Sequence, residues 1–595
     1  MQSCKDYPES LSYKYHLAYL LGEALSKADK IWYKGGYFTL NKKIKEAKHI
    51  YKLHQEYKAK LQELHLSYCF IPKEFLLDSL SFLKAIETLM HKLKSQENNS
   101  FKIESFFFKL FSQIPFSTQT PFLLKHKEEI LQWLNSKEFK EQYINTNHPY
   151  PPLLNPERLN AKRESKEKNN HNKETELRIK ERESKECNVE SQRENRDSIQ
   201  PYPNLSYESI PAELAWDLNL PLPRGYGFVW FVVWGSGFSS TRKYLSNFGV
   251  IFSPFAYFAD KNSYFNIYNS ILTTTKDRVL CILSLFRWSL ERAKFIALVG
   301  DSMFLVVFRD PVSIAKTYVN HLGHYQKLKQ SEITLACACD AVFDFFVYTH
   351  NAPFPKLEHW DSITSWGKIE WDSVLMNIAK EKIITLDTKD IMPDCAFETM
   401  QKLAKTLGFF KEVESIMFAD IVDRGDLYGV LPLTLYANNK DIGEVTYKKN
   451  FKLSSLQSKD SIPILITTYQ LHNGVGFIDI KNEMLDYRSK YPYLAFYVKE
   501  SQIEEFRKNT TLYCATKDYL NQLIISMEKR IALEVSKRYN ENDLLQYFRE
   551  NHKERKRFQE LLDKELHWVK ANRPDIVESW KYYQEFERMC EEMDK

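Results

Sequence analysis

The chain has 595 residues, too many for one hydrophobic core, and its 43% hydrophobic and 14% aromatic content suffices for several folded units. Only 17 glycines over that length disfavours all-β repeats and suits helix-rich architecture. A net charge of +5 is small for this size, and no array of aromatics and arginines marks a nucleic-acid-binding sheet, so nucleic acid is not an expected partner.

Residues 11–64 read as two helices. Leu11, Tyr15, Leu17, Leu20, Leu21 and Leu25 recur at three-to-four spacing, Gly35-Gly36 interrupts them, and Ile44, Ala47, Ile50, Leu53, Tyr57 and Leu61 resume. Trp32, Tyr33, Tyr37 and Phe38 flank the break among Lys27, Lys30, Lys34, Lys42 and Lys43. Aromatics among lysines suit a membrane headgroup layer, and suit the surface of an ordinary helical hairpin equally. More helices are predicted to about residue 145, closing a helical N-terminal module, 1–150.

A charged flexible linker is expected over 151–205. The Pro-rich stretch around Pro149, Pro151 and Pro152 closes the helical module, and from Ala161 to Gln200 charges of both signs displace almost every apolar residue. Such a segment cannot bury enough surface to offset its ordering entropy. Beyond it, short apolar runs alternate with amphipathic stretches, the pattern of an α/β unit with a parallel sheet, here assigned to 206–430. A strand-containing and then helical extension, 431–595, carries the runs Leu431–Leu435, Ile462–Tyr469 and Leu494–Val498.

Nine cysteines are scattered without the spacing of a zinc site. Cys337-Ala-Cys339 would place two side chains on one face of a strand, and free thiols in a reducing compartment are expected, with no metal. The N-terminal MQSCKDYPES lacks a basic-then-apolar signal layout, and no apolar run reaches ~18 residues. The expectation is a cytoplasmic protein, with a peripheral place at the inner membrane as its one membrane role.

Three segments carry chemistry. The apolar run Gly227-Phe-Val-Trp-Phe-Val-Val-Trp234 leads into Gly235-Ser-Gly-Phe-Ser-Ser-Thr241 and then a helix beginning near Arg242. Small residues let backbone N–H groups wrap a phosphate, and the helix N-terminus and the hydroxyls of Ser236, Ser239, Ser240 and Thr241 add to the attraction. A plain tight turn fits the same residues; no Gly-Lys-Ser/Thr closes a Walker A loop. Next, Phe304-Leu-Val-Val-Phe308 delivers Arg309 at a strand's carboxyl end, with Pro311 suited to the first helical turn. Thr317 follows eight residues after the arginine, and a guanidinium with a hydroxyl could converge on one phosphate. The competing assignment makes Arg309 a structural ion pair and Asp310 a helix cap. Finally, Lys382–Leu386, Asp387-Thr-Lys-Asp390 and an amphipathic helix stopped at Gly408 form a strand, turn and helix.

In order and form these segments resemble the P-loop sulfotransferase superfamily. The resemblance implies that Gly235, Ser236, Gly237, Ser239, Ser240 and Thr241 hold the 5′-phosphosulfate of 3′-phosphoadenosine 5′-phosphosulfate, and that Arg309 and Thr317 hold its 3′-phosphate. From about Pro211 onward the chain also resembles a bacterial family known as domain of unknown function 2972. Ala212-Glu-Leu-Ala-Trp-Asp-Leu-Asn-Leu-Pro-Leu-Pro223, Phe308-Arg-Asp-Pro-Val-Ser313, Val319-Asn-His321 and Arg573-Pro-Asp-Ile-Val-Glu-Ser-Trp-Lys-Tyr-Tyr-Gln-Glu585 carry that likeness. Members lie among surface-polysaccharide genes, and Tyr19-Leu-Leu-Gly-Glu-Ala-Leu with Trp32-Tyr-Lys-Gly-Gly-Tyr37 look like a module attached to such proteins.

Sulfotransferases place a lysine or arginine inside the 5′ loop, whereas Trp234-Gly-Ser-Gly has none. The expectation is that Arg242 or Lys243 reaches back to neutralise the leaving charge, unless the donor differs or activity is lost. His321, with His324 three residues on, is the candidate base; surface histidines fit the spacing too. The functions these readings imply are transfer of a sulfuryl group from a nucleotide donor to a surface-glycan hydroxyl, or transfer of another nucleotide-activated group, a sugar or phosphoryl-type substituent, to capsule or lipopolysaccharide. A catalytically degenerate binding or scaffold protein is the reading of a different class.

Overall fold

In the computed structural model the described residues are 11–64, 66, 68, 70–95, 103, 105–107, 109–110, 116–161, 199–274, 279–299, 302–321, 332–344, 346, 348–365, 369–409, 411–418, 430–444, 460–468 and 475–593. The charged stretch 162–198 and His324 lie outside them. The chain forms two compact units, one of residues 1–229 and 251–302, the other of 230–250 and 303–595. The architecture is mixed α/β, with a parallel sheet and helical N- and C-terminal regions.

The first unit opens with helices α1 (Leu17–Asp29), α2 (Leu40–Glu63) and α3 (Leu76–Ser95). The apolar faces of α2 and α3 meet, with Tyr15 and Ile71, in a cluster that includes Tyr57, Leu61, Leu76, Leu80 and Leu83. Tyr15 donates to the Ile71 carbonyl and stacks on buried His54 at 4.2 Å. Farther along, strand β1 (Phe228–Phe231) straddles the boundary of the units. Beside its first residues, β2 (Ile251–Phe252) and β3 (Ala256–Phe258) each run parallel to β4 (Leu280–Arg287), which is almost wholly buried. A covering helix, Lys261–Thr273, sends buried hydroxyls to the segment carrying Ala212–Pro223: Tyr264 to the Leu220 carbonyl at 2.7 Å, Tyr268 to those of Tyr207 and Ile210 at 2.8 Å. That segment is therefore a structural belt.

In the second unit the end of β1 is followed by a loop and α4 (Phe238–Asn247). The order across this part of the sheet is β1, β5 (Met303–Phe308), β7 (Ile383–Asp387), with β5 and β7 parallel and paired from Phe304–Ile383 to Phe308–Asp387. Helix α5 (Pro311–Val319) follows β5, and α6 (Pro393–Leu407), stopped by Gly408 at φ +73°, follows β7. A second sheet has the order β10 (Phe477–Asp479), β11 (Leu494–Lys499), β9 (Ile462–Thr468), β8 (Leu433–Ala437), β6 (Glu332–Thr334). Helix α7 (Thr510–Ser536) covers it with Leu520, Leu523, Ile524, Met527 and Ile531. The chain ends in α8 (Glu541–Glu550), α9 (His552–Glu565) and α10 (Lys581–Met593).

Two expectations are corrected. Residue 430 is no boundary, because β6 precedes it yet pairs with β8 after it, and the whole C-terminal extension belongs to the unit that holds β5 and β7. Cys337 and Cys339 share no strand: β6 stops at Thr334, the Cys337 amide turns back to the Thr334 carbonyl at 3.1 Å, and Cys339 opens a short helix.

Burial pushes the His54 imidazole from its ordinary 6.5 down to about 4. The unfolded chain therefore takes up this proton first, and the contribution present above 6.5 is lost as pH falls toward about 4. Thermal melts of the full chain should fall between about pH 7 and about pH 5 by more in the wild type than in His54→Gln; equal falls would refute the assignment.

Candidate functional site

Strand β5 is buried to Phe308, and the next three residues change the chain's purpose. Asp310 accepts from the Val312 amide at 2.9 Å as N-cap of α5, with Pro311 in the first turn where its missing N–H costs nothing. This sharp exit turns the Arg309 side chain onto the loop after β1. Its Nη1 donates to the Gly235 carbonyl at 2.6 Å and lies 3.4 Å from the Thr317 hydroxyl, which itself donates to the Ser313 carbonyl at 3.0 Å. Arg309, Thr317 and the loop thus converge on one place within the second unit.

The loop needs its glycines. Gly235 and Gly237 have φ of +86° and +84°, which side chains rarely adopt. A Cβ on Gly237 would stand 2.5 Å from Ile391 Cδ1, and one on Gly235 3.4 Å from Ile314 Cγ2. Gly237 caps α4, so the open N–H groups of that helix's first turn begin there. Ser239 and Ser240 are half-buried in this turn, and Thr241 is fully buried with its Oγ1 lacking a partner among the described residues. Ser236 does not face outward as expected: its hydroxyl and its amide both donate to the Val233 carbonyl, at 2.6 and 3.2 Å, and close the turn.

The remaining candidates are placed differently from one another. Arg242 lies over the Phe238 ring at 5.9 Å, and Phe238 stacks on Trp230 at 5.2 Å and meets Trp234 edge-on at 5.0 Å. Lys243 is half-buried beside it on α4. His321 is exposed beyond Asn320, the C-cap of α5, at the opposite end of that helix from Arg309; its carbonyl accepts from the Thr349 amide at 3.1 Å. The geometry does not bring it to the loop.

Sequence reasoning missed the residues that grip the site from the far end of the chain. Asp310 Oδ2 accepts the amides of Tyr582 and Tyr583, at 2.9 and 3.1 Å, in the first turn of α10. Asp387, closing β7, accepts from the Trp580 indole at 2.8 Å and the Lys389 amide at 2.9 Å. Arg573 donates to the Thr385 carbonyl at 3.3 Å and to that residue's hydroxyl. Glu541, first residue of α8, accepts from the Ser313 hydroxyl and Lys316, each at 2.9 Å. The stretch Arg573–Glu585 stood out in the sequence as part of the family resemblance, but without any sign of its partners.

Charge follows the same contacts. Burial pushes the Arg309 guanidinium down, opposed by Glu541, Asp310 and Asp387 nearby; arginine remains protonated at any physiological pH. Burial raises the Asp310 carboxyl against the pull of the Tyr583, Val312 and Tyr582 amides. Burial also pushes Glu541 up, but Lys316 and Ser313 outweigh it and leave the carboxyl below its usual range.

Residues 385–593 match a family model described as protein of unknown function (DUF2972), and residues 1–53 match a domain of unknown function (DUF8374). The likeness to DUF2972 thus rests on the C-terminal span 385–593, about a third of the chain. No curated protein and no solved structure matches it. The matched span starts in β7, well after Pro211, and holds Asp387, Glu541, Arg573 and Trp580; Gly235, Arg309 and Thr317 precede it.

Asp310→Ala leaves two helix N-termini without their acceptor and should lower stability by about 2–4 kcal/mol in urea titrations. Asp387→Asn keeps the side chain's shape and weakens only its bonds to the Trp580 indole and the Lys389 amide, so its loss should be smaller, about 1–2 kcal/mol. The reverse ranking would show that the Asp310 bridge is not what holds α10.

Proposed function

We propose that the second unit binds the phosphates of a nucleotide donor and is a group transferase of the sulfotransferase type, acting on a hydroxyl of a bacterial surface glycan. One observation carries the reading: Arg309, from the carboxyl end of a parallel strand, meets Thr317 and the Gly235 loop. Carboxyl ends of such strands are where open α/β sheets take ligands. The residues fit a phosphate. Gly235 and Gly237 hold positive φ, a Cβ on Gly237 would also press on Ile391, the first turn of α4 adds open N–H groups, and the buried Thr241 hydroxyl lacks an acceptor among the described residues.

In sulfuryl transfer the acceptor oxygen bonds to sulfur as the bond from sulfur to the phosphate oxygen breaks, the donor leaves as the bisphosphate, and the acceptor's proton passes to a base. The loop has no lysine, and Arg309 bonds the Gly235 carbonyl, so this reading gives Arg309 the neutralising role expected of Arg242 or Lys243. A sugar or phosphoryl-type donor would use the same anion site. The non-catalytic reading has its own support: Phe238 packs against Trp230 and Trp234 in the first turn of α4, where a donor would approach.

Calorimetric titration with 3′,5′-adenosine bisphosphate tests the proposal. Micromolar affinity is expected in the wild type, weakened roughly 30-fold or more in Arg309→Ala through loss of charge-assisted bonds. Preference for cytidine or uridine diphosphate would keep a transferase and change its donor. Absence of binding by all three would favour the scaffold.

A further inference from the structure

Helices α1 and α2 are joined by a turn that holds apolar rings in solvent. Phe38 is 95% exposed, Trp32 66%, Tyr33 65%, Tyr37 52% and Ile31 39%, all within eight consecutive residues. This is an ordered projection. Gly36 turns back to the Ile31 carbonyl at 3.0 Å, Gly35 to that of Trp32 at 3.1 Å, and Phe38 to that of Gly35 at 3.0 Å. Thr39 donates its hydroxyl to the Gly36 carbonyl at 2.8 Å, and Tyr37 donates to Asp29 at 2.8 Å. Gly36 is buried so tightly that a Cβ there would stand 2.1 Å from the Ala28 carbonyl oxygen. The fold therefore spends a close-packed glycine and several bonds on holding these rings away from its own core. An exposed apolar patch of this kind marks a contact surface.

The charges around it select the partner. Between residues 27 and 43 the sequence has five lysines, Lys27, Lys30, Lys34, Lys42 and Lys43, against one acid, Asp29. Lys27 is paired with Glu23 at 2.9 Å, while Lys30, Lys34 and Lys42 are exposed on the same tip. We propose that this tip docks on an anionic membrane surface, with Trp32, Tyr33, Tyr37 and Phe38 in the headgroup layer and the lysines on lipid phosphates. Tryptophan and tyrosine favour that layer because each ring has an apolar body and a polar handle, and each lysine near an anionic surface adds on the order of fivefold in partitioning. A second copy fits less well, because a two-fold contact would set lysine against lysine. Among the described residues no helix is long and apolar enough to cross a membrane, so the contact is peripheral.

Co-sedimentation of the full chain with phosphatidylcholine vesicles, with and without about 30 mol% phosphatidylglycerol, tests this. The wild type should bind the anionic vesicles and largely lose them at about 0.5 M salt. Trp32→Ala/Phe38→Ala should weaken binding roughly tenfold or more, and Lys30→Glu/Lys34→Glu comparably. All four residues are exposed, and unchanged melting curves would show that the fold survives. Equal binding to neutral vesicles, or variants that bind as the wild type does, would overturn the proposal. So would a lipid-free dimer that the aromatic variant dissociates, which would make the tip a self-interface.

Discussion

The Asp310 carboxylate is the joint on which the second unit depends. It is buried, and burying a charge is costly unless every lone pair finds a donor. Here the donors are amides that also need an acceptor: Val312 in the first turn of α5, and Tyr582 and Tyr583 in the first turn of α10, 272 and 273 residues away. The open N–H groups of two helices and one charge answer each other, and both helices present their positive ends to it. Because Arg309 is the adjacent residue, whatever fixes Asp310 fixes the origin of the guanidinium. The cluster of Arg309, Thr317 and the Gly235 loop therefore has α10 among its supports.

The other C-terminal contacts repeat this logic along the same edge. Trp580 holds Asp387 at the end of β7, Arg573 holds Thr385 one residue pair earlier, and Glu541 ties α8 to Ser313 and Lys316 on α5. Beneath them Phe308 meets Trp371 edge-on at 5.0 Å and Trp371 stacks on Trp580 at 6.0 Å, so the polar clasps lie over an aromatic floor. This explains how a family can be defined over 385–593 while the arginine and the loop lie before it. The matched segment contains the residues that hold Asp310 and Asp387, and Arg309 and the Gly235 loop precede it.

What was legible in the sequence was local. Strand, turn and helix at 304–317 and 383–408, the glycine stop at Gly408 and the meeting of Arg309 with Thr317 all follow from periodicities and spacings of a few residues. What was not legible was pairing across long separations. Nothing in Glu332–Thr334 says that it joins Leu433–Ala437, and nothing in Trp580 names Asp387. His321 shows a different limit. Spacing from Arg309 puts it on or near the same helix, but a helix has two ends, and His321 falls past the one that points away. Ser236 was read by residue type alone, and its hydroxyl had a nearer use in closing the turn.

The loop after β1 has no lysine between Trp234 and Gly237, and Arg309 reaches it from β5 instead. A lysine is a point charge on a flexible stem and would have to choose between steadying the loop and meeting a ligand. A guanidinium carries five N–H groups in a fixed plane. Arg309 directs Nη1 to Gly235 and Thr317, and among the described residues Nε and Nη2 have no partner. The same side chain can therefore brace the loop before a ligand arrives and still offer a fork to an anion. The surrounding carboxylates do not cancel this, because each has its own engagement: Asp310 with helix amides, Asp387 with Trp580, Glu541 with Lys316. They keep a half-buried cation in place without closing an ion pair upon it, which is the electrostatic condition for leaving its free donors to something else.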